Sequence, residues 1–504
     1  MDNLNYGLII PMAGFGSRFK KAGYATYKPF IKIKDKFMID YVLDSFQDVK
    51  NKYIIINPNL LTLEQKSYLQ DIRKVTLIEI EPHILGPAYS IFQARKSLPT
   101  NLSYFISYCD IYWTWDFEEM KKNINGKDGT IFTRQQFHPH LVKNNFSAFC
   151  RIDESGKVLE IKEKSSFTKD WMNEPLSIGA FFVKDALKLI ESIEKLIQNK
   201  EMVGIEYFPS LIFNYLISSD FNINSYDIDF FIHWGTPEQL EDFQRWDEIF
   251  KNHFIRENST AKNKINSIMI MGGKGERLLN VSNQIKPLIP IFERPMYKYI
   301  LQAFKSKFYE VITTNQISKK LDEKKENLIN IGELTSSPYE TISKGLEKSK
   351  INNNFLLLSC DAYCDFDHNL FQNFIDQNRP DVVILTFTPS LLQTKYLEHY
   401  THVSITSNII TDIHIKSKSN PNDKGLAGLF WFKDSKILSQ KIENIPQGKE
   451  ISIDHILKSS LGGSNKIMSY EINNYVHLGT ELEFKEFTFW NRYRKIIRTD
   501  QPID

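Results

Sequence analysis

Short apolar runs alternate with amphipathic stretches along this chain. The segments "YGLIIP", "KYIIIN", "VTLIEI" and "SYFISY" have the composition of buried strands. Between them, "FMIDYVLDSF" and "AYSIFQARKSL" place their apolar residues at helical spacing. Because strands that alternate with helices favour parallel pairing, the pattern predicts an α/β fold with a mostly parallel, mixed sheet flanked by helices.

The same series of features occurs twice in the chain. "IIPMAGFGSRF" at residues 9–19 matches "IMIMGGKGERL" at 268–278, and "FIHWGTPEQLEDFQRW" at 231–246 matches "YVHLGTELEFKEFTFW" at 475–490. The separation of matching residues falls gradually from 259 to 244, as small loop deletions would produce. We therefore predict a duplicated domain, with copies at 1–255 and 265–504 and a polar linker at 256–264.

The composition narrows the functional class. The chain has 504 residues, a formal net charge of +2 and 42% apolar residues, so charge gives no reason to expect a nucleic-acid partner. No apolar stretch approaches the roughly 18 residues of a transmembrane helix, and no secretory pattern opens the chain. Four cysteines do not make a disulfide framework in a chain of this length. We expect a cytoplasmic enzyme or binding protein without membrane insertion, of unknown oligomeric state.

A glycine-rich loop follows the first strand of each copy. In the first copy, the loop and its flank contain Ala13, Gly14, Gly16, Ser17, Arg18 and Lys28. Glycines let backbone N–H groups approach phosphate oxygens, and guanidinium and ammonium groups suit the same anion. The loop is not a G-x-x-x-x-G-K-[ST] P-loop. It is not the G-x-G-x-x-G dinucleotide motif either, because Phe19 stands at the third glycine.

The pattern "AGFGSRF" with a spaced "KPF", repeated as "GGKGERL" with "KPL", resembles the signature of sugar-1-phosphate nucleotidyltransferases. Relatives with a similar fold transfer CMP to phosphocholine and similar alcohols. The resemblance implies two tandem Rossmann-like or GT-A-like domains that transfer NMP from an NTP to a sugar-1-phosphate or phospho-alcohol. Pyrophosphate would be released, Mg²⁺ would be the cofactor, and the product would serve capsule or surface-polysaccharide synthesis.

The resemblance also implies roles for individual residues. Arg18 and the loop would hold the triphosphate, Lys28 would neutralise charge at the α-phosphate, Asp110 would bind Mg²⁺, and Lys162 would orient the acceptor. Nucleobase contacts are expected from Gly86, Pro87 and Ala88. Acceptor contacts are expected from Lys164, Gly179 and Glu206. For Lys164 and Glu206, a simple surface position is an equally good interpretation.

One position departs from the family pattern. His233 stands where the family usually has a second metal-binding Asp, and His477 occupies the same place in the second copy. Imidazole is a poor ligand for Mg²⁺. Either Asp110 holds the ion with phosphates and water, or Asp227 or Asp229 reaches the site, or the site with His233 takes another metal.

The second copy keeps most of the proposed site, namely Gly273, Gly275, Arg277, Lys286, Asp361, Lys416 and Lys418. In this comparison Lys416 and Lys418 pair with Lys162 and Lys164, and Asp361 is the metal-binding counterpart. Tyr339 replaces Ala88 and could block or redirect the base, while Asp454 could replace Glu206. We expect the first copy to be active and leave the activity of the second open.

Two other functions compete with this interpretation. A glycosyltransferase of GT-A type would use a finished nucleotide sugar, but it normally carries a D-x-D motif where this chain has "CDIYW". A non-catalytic nucleotide sensor could arise if one copy had decayed, but the arginine, lysine and aspartate are retained in both. A pyrophosphate-release assay distinguishes a nucleotidyltransferase from a glycosyltransferase. Nucleotide binding without turnover would identify a sensor.

Overall fold

The computed structural model describes residues 5–142, 147–257, 265–273, 275–321, 327–390, 392–417, 420, 422–439 and 451–499. The chain divides into two compact units, Met1–Glu241 (the first unit) and Asp242–Asp504 (the second unit). The predicted linker lies outside the described residues from 258 onward, and residues 256 and 257 end a helix. The sequence-based domain limits stay a prediction.

The first unit contains short strands and eight numbered helices within its described residues, the last of which continues into the second unit. The strands are β1 (Tyr6–Met12), β2 (Lys32–Ile33), β3 (Lys36–Phe37), β4 (Asn51–Ile56), β5 (Thr76–Glu79), β6 (Ser103–Ser107), β7 (Ile111–Trp113), β8 (Gly129–Arg134), β9 (Phe149–Ile152), β10 (Val158–Lys162), β11 (Leu176–Val183), β12 (Ile223–Asp227) and β13 (Phe231–His233). The helices are α1 (Ser17–Lys21), α2 (Met38–Ser45), α3 (Leu63–Ser67), α4 (Pro87–Ala94), α5 (Phe117–Ile124), α6 (Ala186–Gln198), α7 (Ile212–Ser218) and α8 (Pro237–Glu257).

The second unit repeats this series of elements. Its strands are β14 (Asn266–Met271), β15 (Pro290–Ile291), β16 (Arg294–Pro295), β17 (Tyr309–Thr313), β18 (Leu328–Asn330), β19 (Asn353–Ser359), β20 (Ala362–Asp365), β21 (Val382–Phe387), β22 (His402–Thr406), β23 (Ile409–His414), β24 (Lys424–Asp434), β25 (Ile467–Glu471) and β26 (Asn473–His477). Its helices are α9 (Met296–Phe304), α10 (Asn315–Ser318), α11 (Pro338–Leu346), α12 (His368–Asn378), α13 (Ile453–Ser459) and α14 (Glu481–Thr499).

Each unit is built on one large mixed sheet. In the first, the order is β10-β9-β11-β6-β1-β4-β5, and β8 pairs with both β11 and β12. Strand β1 runs parallel to β4 and β6, whereas β11 is antiparallel to β6. In the second, the order is β18-β17-β14-β19-β24-β21-β25-β23-β22, again with parallel pairs around β14 and an antiparallel β24. The predicted α/β class with mostly parallel, helix-flanked sheets is confirmed.

The first sheet is covered on both faces. Leu8, Ile10 and Met12 belong to one apolar cluster, and Ile9 of the same strand belongs to another. Because successive side chains of a strand point to opposite faces, β1 must be apolar throughout, which explains its continuous hydrophobic run. Within the described part of the chain, no helix combines the length and apolar character needed to cross a bilayer.

Candidate active site

The glycine loop joins β1 to α1 at the carboxyl end of the central strand. Gly16 has a φ of +62°, and Gly275 has a φ of +69° at the same place in the second unit. Glycine suits this conformation because a side chain would be strained in it. The Tyr27 hydroxyl donates to the carbonyl of Met12 at 2.5 Å and also lies 2.9 Å from the carbonyl of Gly14. The loop is thereby tied to the segment that carries Lys28.

Lys28 and Asp110 meet directly below this loop. Lys28 Nζ donates to Asp110 Oδ2, and also to the carbonyl of Gly235 at 3.4 Å. His233 Nε2 lies 3.6 Å from the same carboxylate oxygen. Asp110 follows β6, and His233 ends β13, which pairs with β7 immediately after Asp110. Residues that are distant in sequence thus converge at one edge of the sheet, as the sequence predicts for Lys28 and Asp110.

The electrostatics of this cluster favour an ionised carboxylate. Burial opposes the charge on Asp110, but the Lys28 ammonium and the His233 imidazole hold the pKa of this carboxyl well below its usual range. An ionised carboxylate fixes the position of the Lys28 ammonium beside the glycine loop. The cluster therefore pairs one largely buried carboxylate with one largely buried ammonium.

The second unit repeats the cluster with an additional acid. Lys286 Nζ contacts Asp361 Oδ2, and His477 Nε2 lies 3.4 Å from that oxygen. His477 Nδ1 lies 2.6 Å from Glu483 Oε2, so both ring nitrogens face carboxylates. Burial disfavours a charged imidazole, but Glu483 and Asp361 raise the pKa of His477 to about 9. Gln239 stands at the position of Glu483 in the first unit.

The predicted nucleobase segment is held by the backbone of a neighbouring loop. The amide of Tyr207 donates to the carbonyl of Leu85 at 2.8 Å, and the amide of Ala88 donates to the carbonyl of Tyr207 at 3.0 Å. Gly86 has a φ of +87°, and a Cβ there would lie 2.7 Å from the Cβ of Glu206. The side chain of Ala88 is fully buried in the core. Ala88 therefore offers no side-chain contact to a ligand, and Gly86 is half-buried.

His83 supports the same segment, although the sequence analysis did not identify it. The amide of Leu85 donates to His83 Nδ1 at 3.1 Å, and His83 Nε2 lies 3.0 Å from Ser90 Oγ. Since Nδ1 accepts, the ring is neutral and Nε2 carries the proton. Burial lowers the pKa of His83, which favours this neutral form.

In the predicted acceptor region, only one of the two lysines meets the predicted acid. Lys164 Nζ lies 3.5 Å from Glu206 Oε2 and 4.5 Å from the centre of the Phe208 ring. Lys162 ends β10, and its ammonium lies 4.4 Å from the centre of the Phe167 ring. The geometry thus associates Lys164 more closely than Lys162 with Glu206.

Glu163 is a further acid at this site that the sequence analysis missed. Ser210 Oγ donates to Glu163 Oε2 at 2.6 Å. Burial raises the pKa of Glu163, partly offset by this hydrogen bond and by Lys164. The signal was present in the sequence, because Glu163 directly precedes Lys164 in "EIKEKS".

A matching side-chain contact shows which strand positions correspond in the two units. Asn214 bonds both the amide and the carbonyl of Ile161, at 3.0 and 2.9 Å. In the second unit, Lys458 donates to the carbonyl of Ile413 at 2.6 Å. Ile161 and Ile413 are both buried, and each is the penultimate residue of its strand, β10 and β23. The two segments therefore align as "EIKEKS" and "DIHIKS".

This alignment corrects the lysine pairing expected from the sequence. Lys162 corresponds to His414 and Lys164 corresponds to Lys416, so the expected pairing was shifted by two residues. Lys164 and Lys416 also share a positive φ, at 53° and 42°. Lys418 lies outside the described residues.

The same alignment corrects the position assigned to Asp454. Because Asn214 corresponds to Lys458, Asp454 corresponds to Ser210 and not to Glu206, whose counterpart at position 450 lies outside the described residues. Thr401 Oγ1 donates to the Asp454 carboxylate at 2.6 Å. Burial raises the pKa of Asp454, as it raises the pKa of Glu163 in the first unit. Each unit therefore keeps one half-buried acid near the strand-end lysine, but at a different position.

Three other predicted residues differ in their exposure and contacts. Arg18 is exposed on α1, and Asp227 Oδ1 accepts a hydrogen bond from the amide of Gln135 at 3.0 Å. Tyr339 is half-buried and packs against the apolar core of the second unit. In the part of the chain that the structure describes, no three His, Cys, Asp or Glu side chains are grouped as a metal site. The contact described for Asp227 is therefore with the Gln135 amide and not with Asp110.

Solved structures similar to this chain include several nucleotidyltransferases. One is a nucleoside-diphosphate-sugar pyrophosphorylase from Vibrio cholerae RC9 (18% identity, 47% of this chain and 99% of that chain, TM-score 0.41). Another is the CTP:phosphocholine cytidylyltransferase of Streptococcus pneumoniae (17% identity, 49% and 100%, TM-score 0.38). A third is the inositol-1-phosphate CTP transferase of T. maritima (13% identity, 47% and 91%, TM-score 0.36). No curated protein matches the chain in sequence.

Family models match both halves of the chain. Residues 8–192 match the MobA-like NTP transferase domain, and residues 266–458 match the nucleotidyl transferase domain. Each match begins at the central strand and includes the glycine loop, the lysine and the aspartate described above. The chain therefore belongs to the nucleotidyltransferases and carries two such domains in tandem.

Proposed function

We propose that the first unit transfers NMP from an NTP to a phosphorylated sugar or alcohol and releases pyrophosphate. The observation that carries this proposal is the contact of Lys28 with the ionised Asp110 directly below the glycine loop. An acceptor phosphate oxygen attacks the α-phosphorus, and the bond to the pyrophosphate oxygen breaks. No protein nucleophile is required, because positioning and charge neutralisation supply the catalysis. We assign the product to capsule or surface-polysaccharide synthesis on the family resemblance.

Within this reaction, each group has a distinct task. Backbone amides near Gly14 and Gly16, together with Arg18, bind the leaving pyrophosphate. Lys28 neutralises charge at the α-phosphate. Lys164 binds the acceptor phosphate, supported by its approach to Glu206 at 3.5 Å. The family resemblance gives this role to Lys162, but the approach to Glu206 is made by Lys164, so we give Lys162 a secondary part.

Magnesium fits the first unit with one protein carboxylate. A hard divalent cation binds one or two carboxylates and completes its coordination with substrate phosphates and water. Asp110 supplies one ionised carboxylate, and His233 is a poor ligand for this ion. When bound, Mg²⁺ would neutralise phosphate charge. In the second unit, both oxygens of Asp361 already accept from Ser359, Lys286 or His477, so we restrict the metal proposal to Asp110.

The test is pyrophosphate release by the full chain with four NTPs and a panel of sugar-1-phosphates and phospho-alcohols. Lys28→Ala should lower turnover by at least about 100-fold, since it removes a preorganised cation. Lys32→Ala is the matched control, because Lys32 is an exposed lysine four residues away. Near-normal turnover of Lys28→Ala would refute the role of the first unit. Lys286→Ala, alone and combined with Lys28→Ala, reports the activity of the second unit.

A further inference from the structure

A glycine with positive φ occupies the same strand position in both units, but its surroundings differ. Gly179 in β11 has a φ of +86°, and Gly428 in β24 has a φ of +69°. A Cβ on Gly179 would lie 2.5 Å from one ring carbon of Tyr108 and 3.0 Å from another. A Cβ on Gly428 would have no atom within 4 Å. The space above the glycine is therefore filled in the first unit and open in the second.

The residue two positions before the central aspartate causes this difference. Tyr108 precedes Asp110, and its amide donates to the carbonyl of Gly179 at 3.1 Å, which lays the ring across the glycine. The counterpart is Ser359, whose hydroxyl donates to Asp361. Because Ser359 has a hydroxymethyl group in place of the phenol ring of Tyr108, no side chain of the described residues covers Gly428 in the second unit.

Tyr108 also lies among the acids of the acceptor region. Asp110, Glu163 and Glu206 all act electrostatically on its hydroxyl, and burial raises its pKa well above the usual range. The ring therefore stays neutral. The charges that act on its hydroxyl include Asp110 of the Lys28–Asp110 cluster and Glu206, the partner of Lys164.

We propose that Tyr108 determines acceptor size in the first unit, which takes a small phosphorylated alcohol in place of a pyranose-1-phosphate. This inference rests on the proposed function of that unit. The phenol ring occupies the volume above Gly179 that a sugar ring would need, while Glu163 and Glu206 remain to bind a hydroxyl or ammonium group of a short acceptor. The second unit, with Ser359, has no such restriction at this point.

The test uses the full chain with Lys286→Ala, so that turnover comes from the first unit alone. The probes are phosphoethanolamine, glycerol 3-phosphate and glucose-1-phosphate, each with all four NTPs. Tyr108→Ser should raise the kcat/KM ratio of glucose-1-phosphate to the small acceptors by at least about tenfold, mainly through KM. Tyr215→Ser is the control, because Tyr215 is a half-buried tyrosine of α7 whose hydroxyl bonds Glu201 and Asn199, and it should leave the ratio unchanged. An unchanged ratio in Tyr108→Ser, or a parent that prefers glucose-1-phosphate, overturns the inference.

Two further measurements separate the possible failures. Tyr108→Leu, a smaller change that keeps the site apolar, replaces Tyr108→Ser if circular dichroism shows that the serine variant is unfolded. If the parent releases no pyrophosphate with any acceptor, the proposed function fails, and calorimetric titration with the same three acceptors then tests the pocket alone. If the Tyr108 variant binds glucose-1-phosphate more tightly than the parent does, the result supports Tyr108 as the residue that limits acceptor size. Equal binding by parent and variant refutes this role.

Discussion

The pair formed by His477 and Glu483 should make the second unit less stable as pH rises above neutrality. The folded-state pKa of His477 is raised from 6.5 to about 9, because two carboxylates face its ring. A histidine with a raised pKa contributes stability that is fully present below pH 6.5 and is lost as pH rises through about 9. The shift corresponds to at most about 3 kcal/mol of unfolding free energy.

Glu483→Gln removes one of these carboxylates and isolates the effect. At pH 6 the variant should be less stable than the wild type, by up to about 3 kcal/mol. At pH 10 the difference should vanish or reverse, because wild-type Glu483 is then a buried anion without a charged partner. Glu481→Gln is the matched control, since Glu481 lies in the same first turn of α14 but contacts Lys485.

The assay is hydrogen exchange read by mass spectrometry for peptides of residues 473–490, at pH values from 6 to 10 and corrected for intrinsic exchange. Resolving peptides is necessary because a chain of two compact units need not unfold in one step. A difference between wild type and Glu483→Gln that stays constant across this range would refute the assigned charge of His477. If Glu481→Gln changed the pH dependence of stability as much as Glu483→Gln does, the effect would not be specific to the acid that contacts His477.

Three further predictions concern the first unit. Gly86→Ala should weaken NTP binding and destabilise the fold by about 1–3 kcal/mol, measured by calorimetry and urea unfolding, because its φ is positive and Glu206 blocks a Cβ. The affinity for NTP should fall in acid, at pH values below the ordinary pKa of histidine, because burial lowers the pKa of His83 and its protonation breaks the hydrogen bond from the Leu85 amide. His83→Asn should remove this pH dependence in a fluorescence titration. Chelation with EDTA should abolish pyrophosphate release and addition of Mg²⁺ should restore it, whereas persistent release in EDTA would contradict the metal proposal.

The sequence predicts the fold well because its signals are local. A strand buried on both faces needs a continuous apolar run, as in β1. A loop residue with positive φ favours glycine, as at Gly16. The convergence of Lys28 and Asp110 also follows, since both come after strands that end at one edge of a parallel sheet. Repetition of the pattern in the second half strengthens each of these predictions.

The remaining features depend on tertiary contacts or on register. Two lysines occur two residues apart in both segments, so the sequences still match when the alignment is shifted by two residues. The contact of Lys458 with Ile413 and the positive φ of Lys164 and Lys416 fix the pairing. The acid beside His477 comes from one turn of a following helix, where Glu483 resembles any surface residue in sequence. The ring of Tyr108 over Gly179 joins two strands about 70 residues apart, and no local pattern reports such a contact.

The different placement of the half-buried acid limits how the two halves can be recombined. In the first unit, Glu163, directly after β10, accepts a hydrogen bond from Ser210 at 2.6 Å, whereas the corresponding positions in the second unit hold Ile415 and Asp454. A chimera that exchanges only the strand would contain either two adjacent carboxylates, which repel, or none at all. We therefore expect a chimera of the two halves to keep this contact only when both segments are exchanged together.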